Sequence, residues 1–181
     1  MNENRLKSKR QESSVAKEID GKVTPASGAL WGAKADVRNQ TFLVECKITE
    51  KPFFVMTDAL WEKIRSEAIK DGLRIPLMCI DLENGKQRFA VIDEADTNIV
   101  GILNMFEPIE FYGGINFDYS DPTRVKTHLG DVQKSHRLCH RGVMLLPNKK
   151  ARKPVTLCVI PWKEFNEKII PAIEGDKQYN V

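Results

Sequence analysis

Residues 35–47, Ala-Asp-Val-Arg-Asn-Gln-Thr-Phe-Leu-Val-Glu-Cys-Lys, decide the fold of this 181-residue chain. In an extended strand over 41–47, successive side chains alternate between two faces. Glu45 and Lys47 share one face, and the other face is apolar, formed by Phe42, Val44 and Cys46. The stretch therefore predicts a strand that packing anchors on one side, with a carboxylate and an ammonium group projecting from the other.

A second acidic residue, Asp36, belongs to a strand over 35–38 that precedes this one. With Asn39-Gln40 as a two-residue turn, Asp36 would lie opposite Leu43 and diagonal to Glu45, at a Cα separation of roughly 7 to 8 Å. Clustered carboxylates repel each other unless a cation lies between them, and hard oxygen ligands suit Mg²⁺ or Mn²⁺. Such an ion can activate water for phosphodiester hydrolysis, while Lys47 positions or helps to deprotonate that water.

The surrounding patterns predict one α/β (α+β) domain over 1–181, a mixed sheet flanked by helices. Its core is expected at about 5–92 plus 154–173, with an insertion or elaboration at about 94–153 that includes a helix near 99–105. The predicted elements are a helix over 5–19, a meander of strands at 22–24, 35–38 and 41–47, a helix over 57–71, a hairpin of 76–80 and 88–92 around Glu83-Asn84-Gly85, a strand at 155–160 and a helix over 162–173.

The composition limits the class of protein. With 41% hydrophobic and 29% charged residues the chain is expected to be globular, and no apolar run reaches the roughly 18 to 20 residues that cross a bilayer. We therefore expect a cytoplasmic protein. The net charge of +3 does not identify a nucleic-acid binder, so any DNA contact must come from local basic clusters at 5–10 and 149–153, which are otherwise solvated surface.

Asp36, eight further residues and then Glu45-Cys46-Lys47 resemble the signature of the PD-(D/E)XK nucleases. The preceding stretch over 24–29, Thr-Pro-Ala-Ser-Gly-Ala, is similar to the loop before the metal-binding aspartate in archaeal-type Holliday junction resolvases and their phage relatives. Ala35 stands where the name of the signature has proline. The resemblance covers residues 8–92 and implies a restriction-endonuclease-like fold with Mg²⁺-dependent endodeoxyribonuclease activity, for which Mn²⁺ can substitute.

The resemblance also implies roles for individual residues. Asp36, Glu45 and the backbone carbonyl of Cys46 would hold the metal together with a glutamate of the first helix, and Lys47 would act on the water. That glutamate is Glu12 or Glu18; we favour Glu12 because it shares the helix face of the apolar residues that follow it. Ser27 would bind near the scissile phosphate, and the full set of expected DNA contacts is Arg10, Ser27, Gly28, Lys34, Arg38, Lys149, Lys150 and Arg152.

The expected substrate is branched DNA, most specifically a four-way junction. Because resolution of a junction needs two nicks related by symmetry, a C₂ homodimer is the expected assembly, in the host cytoplasm if a phage encodes the chain. Two alternatives stay open. One is a restriction-type or replication-associated nuclease that cuts linear or flapped DNA and uses 94–153 as a specificity element. The other is a non-catalytic DNA-binding protein of the same fold.

Overall fold

A computed structural model of the chain describes residues 3–24, 35–93, 95, 114–117, 144–147 and 154–179. None of the helices in these segments is both long and apolar enough to cross a membrane. In chain order the elements are α1 (Glu3–Glu18), β1 (Lys22–Val23), β2 (Val37–Arg38), β3 (Phe42–Ile48), β4 (Phe53–Met56), α2 (Asp58–Lys70), β5 (Ile75–Leu82), β6 (Gln87–Asp93), β7 (Gly114–Phe117), β8 (Met144–Pro147), β9 (Pro154–Pro161) and the helix α3, whose consecutive segments are Trp162–Glu164, Phe165–Ile169 and Ile170–Tyr179.

The main sheet has seven strands in the order β1-β2-β3-β5-β6-β9-β8. β3 and β5 are parallel, and the other neighbours are antiparallel, so the sheet is mixed. The predicted meander of β1, β2 and β3 and the predicted hairpin of β5 and β6 are both present. β8 lies within the range predicted as an insertion, yet it pairs with β9 and forms one edge of the main sheet. The predicted helix near 99–105 lies outside the described residues.

Helices cover both faces of the sheet, which confirms the predicted α/β class. On one face, α1 and α3 pack over the apolar residues of β3, including Phe42 and Val44. On the other face, α2 contributes Trp61 and Ile64 to a second core, and Ala68 of the same helix packs on Leu43. β3 is therefore buried on both sides, as expected for a strand in a parallel pair. Its second face is therefore covered as well, and Glu45, which is buried, is contacted there by Lys63 of α2.

The helix ends follow from local chemistry. Thr57 caps α2, because its Oγ1 accepts a hydrogen bond from the N–H of Leu60 at 3.2 Å. α1 ends as the sequence predicts: Asp20 has a φ of 50°, and the N–H of Gly21 donates to the carbonyl of Ala16 at 2.7 Å. A Cβ on Gly21 would lie 2.8 Å from the carbonyl oxygen of Arg38, so this position needs glycine. α3 continues to Tyr179, beyond the predicted end at residue 173, and its turn Phe165–Ile169 is a π-helix.

The predicted register between β2 and β3 is wrong by two residues. Val37 pairs with Val44, and the N–H of Asn39 donates to the carbonyl of Phe42 at 3.1 Å, so the tight turn is Gln40-Thr41. The cause is the side chain of Asn39. Its Oδ1 accepts hydrogen bonds from the N–H groups of Thr41 and Phe42, at 2.9 and 2.6 Å, which makes Asn39 the first residue of an Asx-type turn.

Candidate active site

The corrected register places Asp36 opposite residues 44–46 of β3 and not opposite Leu43, as the sequence predicted. Val37 pairs with Val44, and the N–H of Asp36 also donates to the carbonyl of Val44, at 3.0 Å. Two successive residues thus face one, which is the pattern of a β-bulge and re-aims the side chain of the extra residue. The carboxylate of Asp36 accepts a hydrogen bond from the N–H of Cys46 at 2.8 Å through Oδ2. Asp36 is therefore fixed against the residue that follows Glu45.

Glu45 is nearly buried, with 5% of its surface exposed, and it is held by two ammonium groups. Its Oε1 lies 2.6 Å from Nζ of Lys47 on the same strand face. The same oxygen lies 3.3 Å from Nζ of Lys63, which reaches it from α2. Lys63 was not predicted, because the sequence does not reveal which strand α2 covers. The alternation that predicted a shared face for Glu45 and Lys47 is thus confirmed by their contact.

The first helix brings a third carboxylate to this patch. Glu12 is half-buried, and its pKa is raised by burial and by the negative charges of Asp36 and Glu45, while Lys9 and Lys47 act in the opposite direction. Charges interact in this way only at short range, so Glu12 shares the electrostatic environment of the two strand carboxylates. Lys9, one turn before Glu12, is a cation at this site that the sequence analysis did not single out.

Glu18, the alternative helix glutamate, has a different set of partners. Its Oε1 lies 3.1 Å from Nη1 of Arg88, and its Oε2 accepts a hydrogen bond from Nε1 of Trp162 at 2.5 Å. Arg88 in turn makes a two-pronged ion pair with the buried carboxylate of Asp81, at 2.6 and 3.0 Å. Glu18 therefore links α1 to β6 and to α3, whereas Glu12 is the glutamate of α1 whose pKa is raised by the charges of Asp36 and Glu45.

A buried glutamine fixes the position of α1 over the strands. Nε2 of Gln11 donates to the backbone carbonyl of Lys47 at 3.0 Å and to that of Cys79 at 3.3 Å. Only 3% of the surface of Gln11 is exposed, so these contacts are shielded from water. Because Gln11 directly precedes Glu12, the same contacts hold the helix carboxylate close to the end of β3. A buried amide beside an expected site residue is a signal that the sequence analysis overlooked.

The electrostatics of Asp36 indicate how the site would receive a cation. Burial raises the pKa of Asp36, the hydrogen bond from the N–H of Cys46 opposes this change, and the negative charge of Glu45 raises the pKa further. Carboxylates held together against their repulsion favour a divalent cation between them. The oxygen donors present are the hard ligands that suit Mg²⁺ or Mn²⁺. Asp36 and Glu45 thus fit such an ion.

The predicted set of three carboxylate ligands is not gathered closely. Within the described part of the chain, no group of three or more His, Cys, Asp or Glu side chains is arranged tightly enough to hold a metal ion. Glu45 is turned toward its two lysines, and Glu12 acts on the strand carboxylates as a neighbouring charge. The arrangement therefore supports two carboxylate ligands, a number that Mg²⁺ accepts because it keeps several waters and takes up phosphate oxygens.

The predicted DNA contacts separate into three groups. Arg38 is exposed, and its Nη1 lies 3.5 Å from the carboxylate of Asp71, the residue that follows the last turn of α2. Arg10 is exposed on α1, and because it lies two residues from Glu12 it projects roughly 200° around the helix from that residue. The remaining predicted contacts lie outside the described residues, namely Ser27, Gly28, Lys34, Lys149, Lys150 and Arg152.

No protein-family model, no curated protein and no solved structure matches this chain. The resemblance to the PD-(D/E)XK nucleases therefore rests on the motif residues and on their arrangement alone.

Proposed function

We propose that this protein is a metal-dependent endodeoxyribonuclease with the restriction-endonuclease-like fold of the PD-(D/E)XK nucleases. The observation that carries the proposal is the hydrogen bond from the N–H of Cys46 to the Asp36 carboxylate at 2.8 Å, directly after Glu45, together with the 2.6 Å contact between Lys47 and Glu45. Two acidic residues and a lysine at this spacing are the catalytic groups of that class. The half-buried Glu12 nearby supplies the helix glutamate that the resemblance implies.

In this mechanism each residue has a separate task. Asp36 and Glu45, with the backbone carbonyl of Cys46, would hold Mg²⁺. When bound, the ion would lower the pKa of a water molecule and stabilise charge on the phosphodiester. Lys47, whose ammonium group lies against Glu45, would orient that water and stabilise the hydroxide by donating a hydrogen bond to it, while the proton of the water leaves to solvent. Glu12 completes the water site from the helix side.

The preferred substrate in this proposal is branched DNA, most specifically a four-way junction cut by a C₂ homodimer. Support comes from the Ser-Gly loop over 24–29, which is similar to the loop of the junction resolvases. A junction has two equivalent strands to cut, and a dimer with two-fold symmetry offers one site to each. A nuclease of linear or flapped DNA would use the same residues, so the substrate has to be tested separately from the chemistry.

The decisive experiment compares cleavage of a mobile four-way junction, a flap, a duplex and a single strand in Mg²⁺. We expect paired nicks in the junction, and loss of cleavage by about 1,000-fold or more in Glu45→Gln and Lys47→Ala. Glu62→Gln is the matched control, because Glu62 lies on α2 in a surface ion pair with Arg65 and should leave the rate unchanged. Full activity of either site variant would refute the assignment, and preference for the flap or duplex would favour the linear-DNA nuclease.

A non-catalytic DNA-binding protein of the same fold is the second candidate. The observation that favours it is the neutralisation of Glu45 by two lysines, an arrangement that is electrostatically balanced without a metal. Calorimetric titration with Mn²⁺ separates the two candidates. The nuclease proposal expects binding that is lost in the double variant Asp36→Asn/Glu45→Gln, whereas the second candidate expects no heat that depends on these residues.

A further inference from the structure

The second lysine at Glu45 has a position that the nuclease chemistry leaves unused. Nζ of Lys63 lies 3.3 Å from Oε1 of Glu45, and 55% of the lysine side chain is exposed, compared with 33% for Lys47 and 7% for the glutamate. Lys63 therefore bridges the buried carboxylate and the solvent. A substrate that approaches Glu45 from the solvent would meet this ammonium group at the entrance to the site.

The backbone of Lys63 is firmly held, whereas its ammonium group is free to reposition. α2 is capped by Thr57 and anchored by Trp61 and Ile64, which are 0% and 1% exposed on either side of Lys63. A lysine carries its charge on a flexible stem with four methylene groups, so Nζ can shift by several ångströms without movement of the helix. The ammonium group can thus exchange one anionic partner for another nearby.

A cation bound to Glu45 would favour such an exchange. A divalent ion on this carboxylate repels both ammonium groups, because like charges at a few ångströms destabilise each other strongly in a partly buried site. Lys63 makes the longer contact and is the more exposed of the two lysines, so it is the one displaced. An ammonium group displaced from Glu45 would still lie near the charges of Glu67, one turn further along α2, and Asp36, and a phosphate oxygen of a bound substrate would compete with these carboxylates for it.

The charge balance leads to the same conclusion. Glu12, Asp36 and Glu45 with Lys9, Lys47 and Lys63 carry equal negative and positive charge, so a divalent cation would leave two excess positive charges. Hydrolysis of a phosphodiester concentrates additional negative charge on the phosphate oxygens in the transition state, and fixed cations there lower the barrier. Without Lys63, the site with its metal would have one excess positive charge instead of two to offset the negative charge of the transition state.

We propose that Lys63 is a phosphate-binding residue of this site, which exchanges Glu45 for an oxygen of the scissile phosphate when the metal is bound. This inference rests on the proposed nuclease function and assigns a further residue to it. The ammonium group of Lys63 comes from α2, which lies on the opposite face of the sheet from α1. The scissile phosphate would then lie between the strand carboxylates and α2.

Single-turnover cleavage of the junction in saturating Mg²⁺ tests the proposal. We expect Lys63→Ala to lower the rate by about 100-fold and Lys63→Arg to restore most of it. Lys70→Ala is the matched control, because Lys70 is exposed on the same helix about two turns further on and should leave the rate unchanged. In calorimetry without DNA, Mn²⁺ should bind Lys63→Ala more tightly than the wild-type protein, since a competitor for Glu45 is removed, and weaker binding would contradict the proposed exchange.

A sulfur substitution at the scissile phosphate tests the contact itself. If Lys63 binds a non-bridging oxygen, a phosphorothioate at that oxygen should slow the wild-type protein more than it slows Lys63→Ala, which has already lost the contact. Equal thio effects in the two proteins, or a Lys63→Ala rate that matches Lys70→Ala, would overturn the inference. The inference would also be overturned if Lys63→Ala reached the full wild-type cleavage rate at a higher Mg²⁺ concentration. Inactivity of the wild-type protein on all DNA substrates would instead refute the proposed function.

Discussion

At the scale of single residues, Glu12 and Glu18 of α1 differ in whether the folded chain stabilises their charge. Glu12 is half-buried beside two other carboxylates, so its charge is unfavourable in the folded chain. Glu18 lies six residues further along and has cationic and hydrogen-bonding partners on β6 and α3. The charge of Glu12 should lower the free energy of unfolding, and that of Glu18 should raise it. Substitution of the two residues should therefore change stability in opposite directions.

We expect Glu12→Gln to be at least as stable as the wild-type protein at pH 7 without metal. The pKa of Glu12 is raised in the folded chain, which therefore binds more protons than the unfolded chain between the two pKa values. The stability contributed by this group is full below the unfolded pKa and is lost as the pH rises through the folded pKa. Urea unfolding in EDTA should give a higher midpoint for the variant at pH 7, with the difference vanishing toward pH 4. A lower midpoint at pH 7 would contradict a charge-repelled Glu12.

We expect Glu18→Ala to lower the free energy of unfolding by about 2 kcal/mol, because it removes a charged hydrogen-bond partner from both Arg88 and Trp162. Lys17→Ala, an exposed neighbour on the same helix, is the control and should change stability little. Urea midpoints of the two variants at pH 7 provide the measurement. The rate of junction cleavage per folded molecule should stay near the wild-type rate in Glu18→Ala. A variant with normal stability and no cleavage would instead indicate that Glu18 is the helix glutamate of the active site.

At the scale of elements, the turn between β2 and β3 sets the distance between the two strand carboxylates. Asn39 accepts hydrogen bonds from two backbone N–H groups, and its Nδ2 donates to the carbonyl of Ile19 at 2.9 Å. The turn therefore fixes the register of β2 on β3 and also ties it to the end of α1. Since a register shift would move Asp36 relative to Glu45, the geometry of the site depends on a residue outside it.

We expect Asn39→Ala to cost about 2 to 3 kcal/mol, from three partly buried hydrogen bonds at about 1 kcal/mol each. Binding of Mn²⁺ should weaken in the same variant, because Asp36 loses its fixed place beside Cys46. Gln40→Ala is the control at the neighbouring exposed position of the turn. Urea unfolding and calorimetry with Mn²⁺ give the two readouts, and a variant that is destabilised but binds Mn²⁺ normally would show that the turn does not control the site.

The elements also show what the sequence can and cannot predict. Alternation in 41–47 predicts β3 and the shared face of Glu45 and Lys47, and the capping residue Thr57 predicts the start of α2. These features depend on neighbours in the chain. The register of β2 depends on two hydrogen bonds that the Asn39 side chain accepts from the N–H groups of Thr41 and Phe42, local contacts that an alternation of apolar residues does not specify. The contact of Lys63 with Glu45 depends on how α2 crosses the sheet, which is long-range packing that local patterns do not encode.

At the scale of the whole molecule, the net charge of +3 combines regions of opposite sign. Three acidic residues, Glu12, Asp36 and Glu45, influence one another electrostatically near one end of β3, and the proposed function brings DNA phosphates to this point. Without metal, these carboxylates would repel a polyanion, and basic residues would have to supply the attraction. A bound divalent ion would make the local charge more positive, so under this proposal the affinity of the protein for DNA should depend on the ion even when no cleavage occurs.

We therefore expect Ca²⁺, which fits oxygen ligands but supports cleavage poorly, to strengthen junction binding on the order of tenfold at fixed ionic strength. The double variant Asp36→Asn/Glu45→Gln should bind the junction tightly in EDTA and gain little from Ca²⁺, because its repulsive charges are already absent. Fluorescence anisotropy with a labelled junction measures both affinities, and Glu62→Gln, which alters only a surface ion pair with Arg65, should respond to Ca²⁺ as the wild-type protein does. An equal gain from Ca²⁺ in the double variant would place the ion elsewhere on the protein or on the DNA, and the carboxylates at Asp36 and Glu45 would then have no part in it.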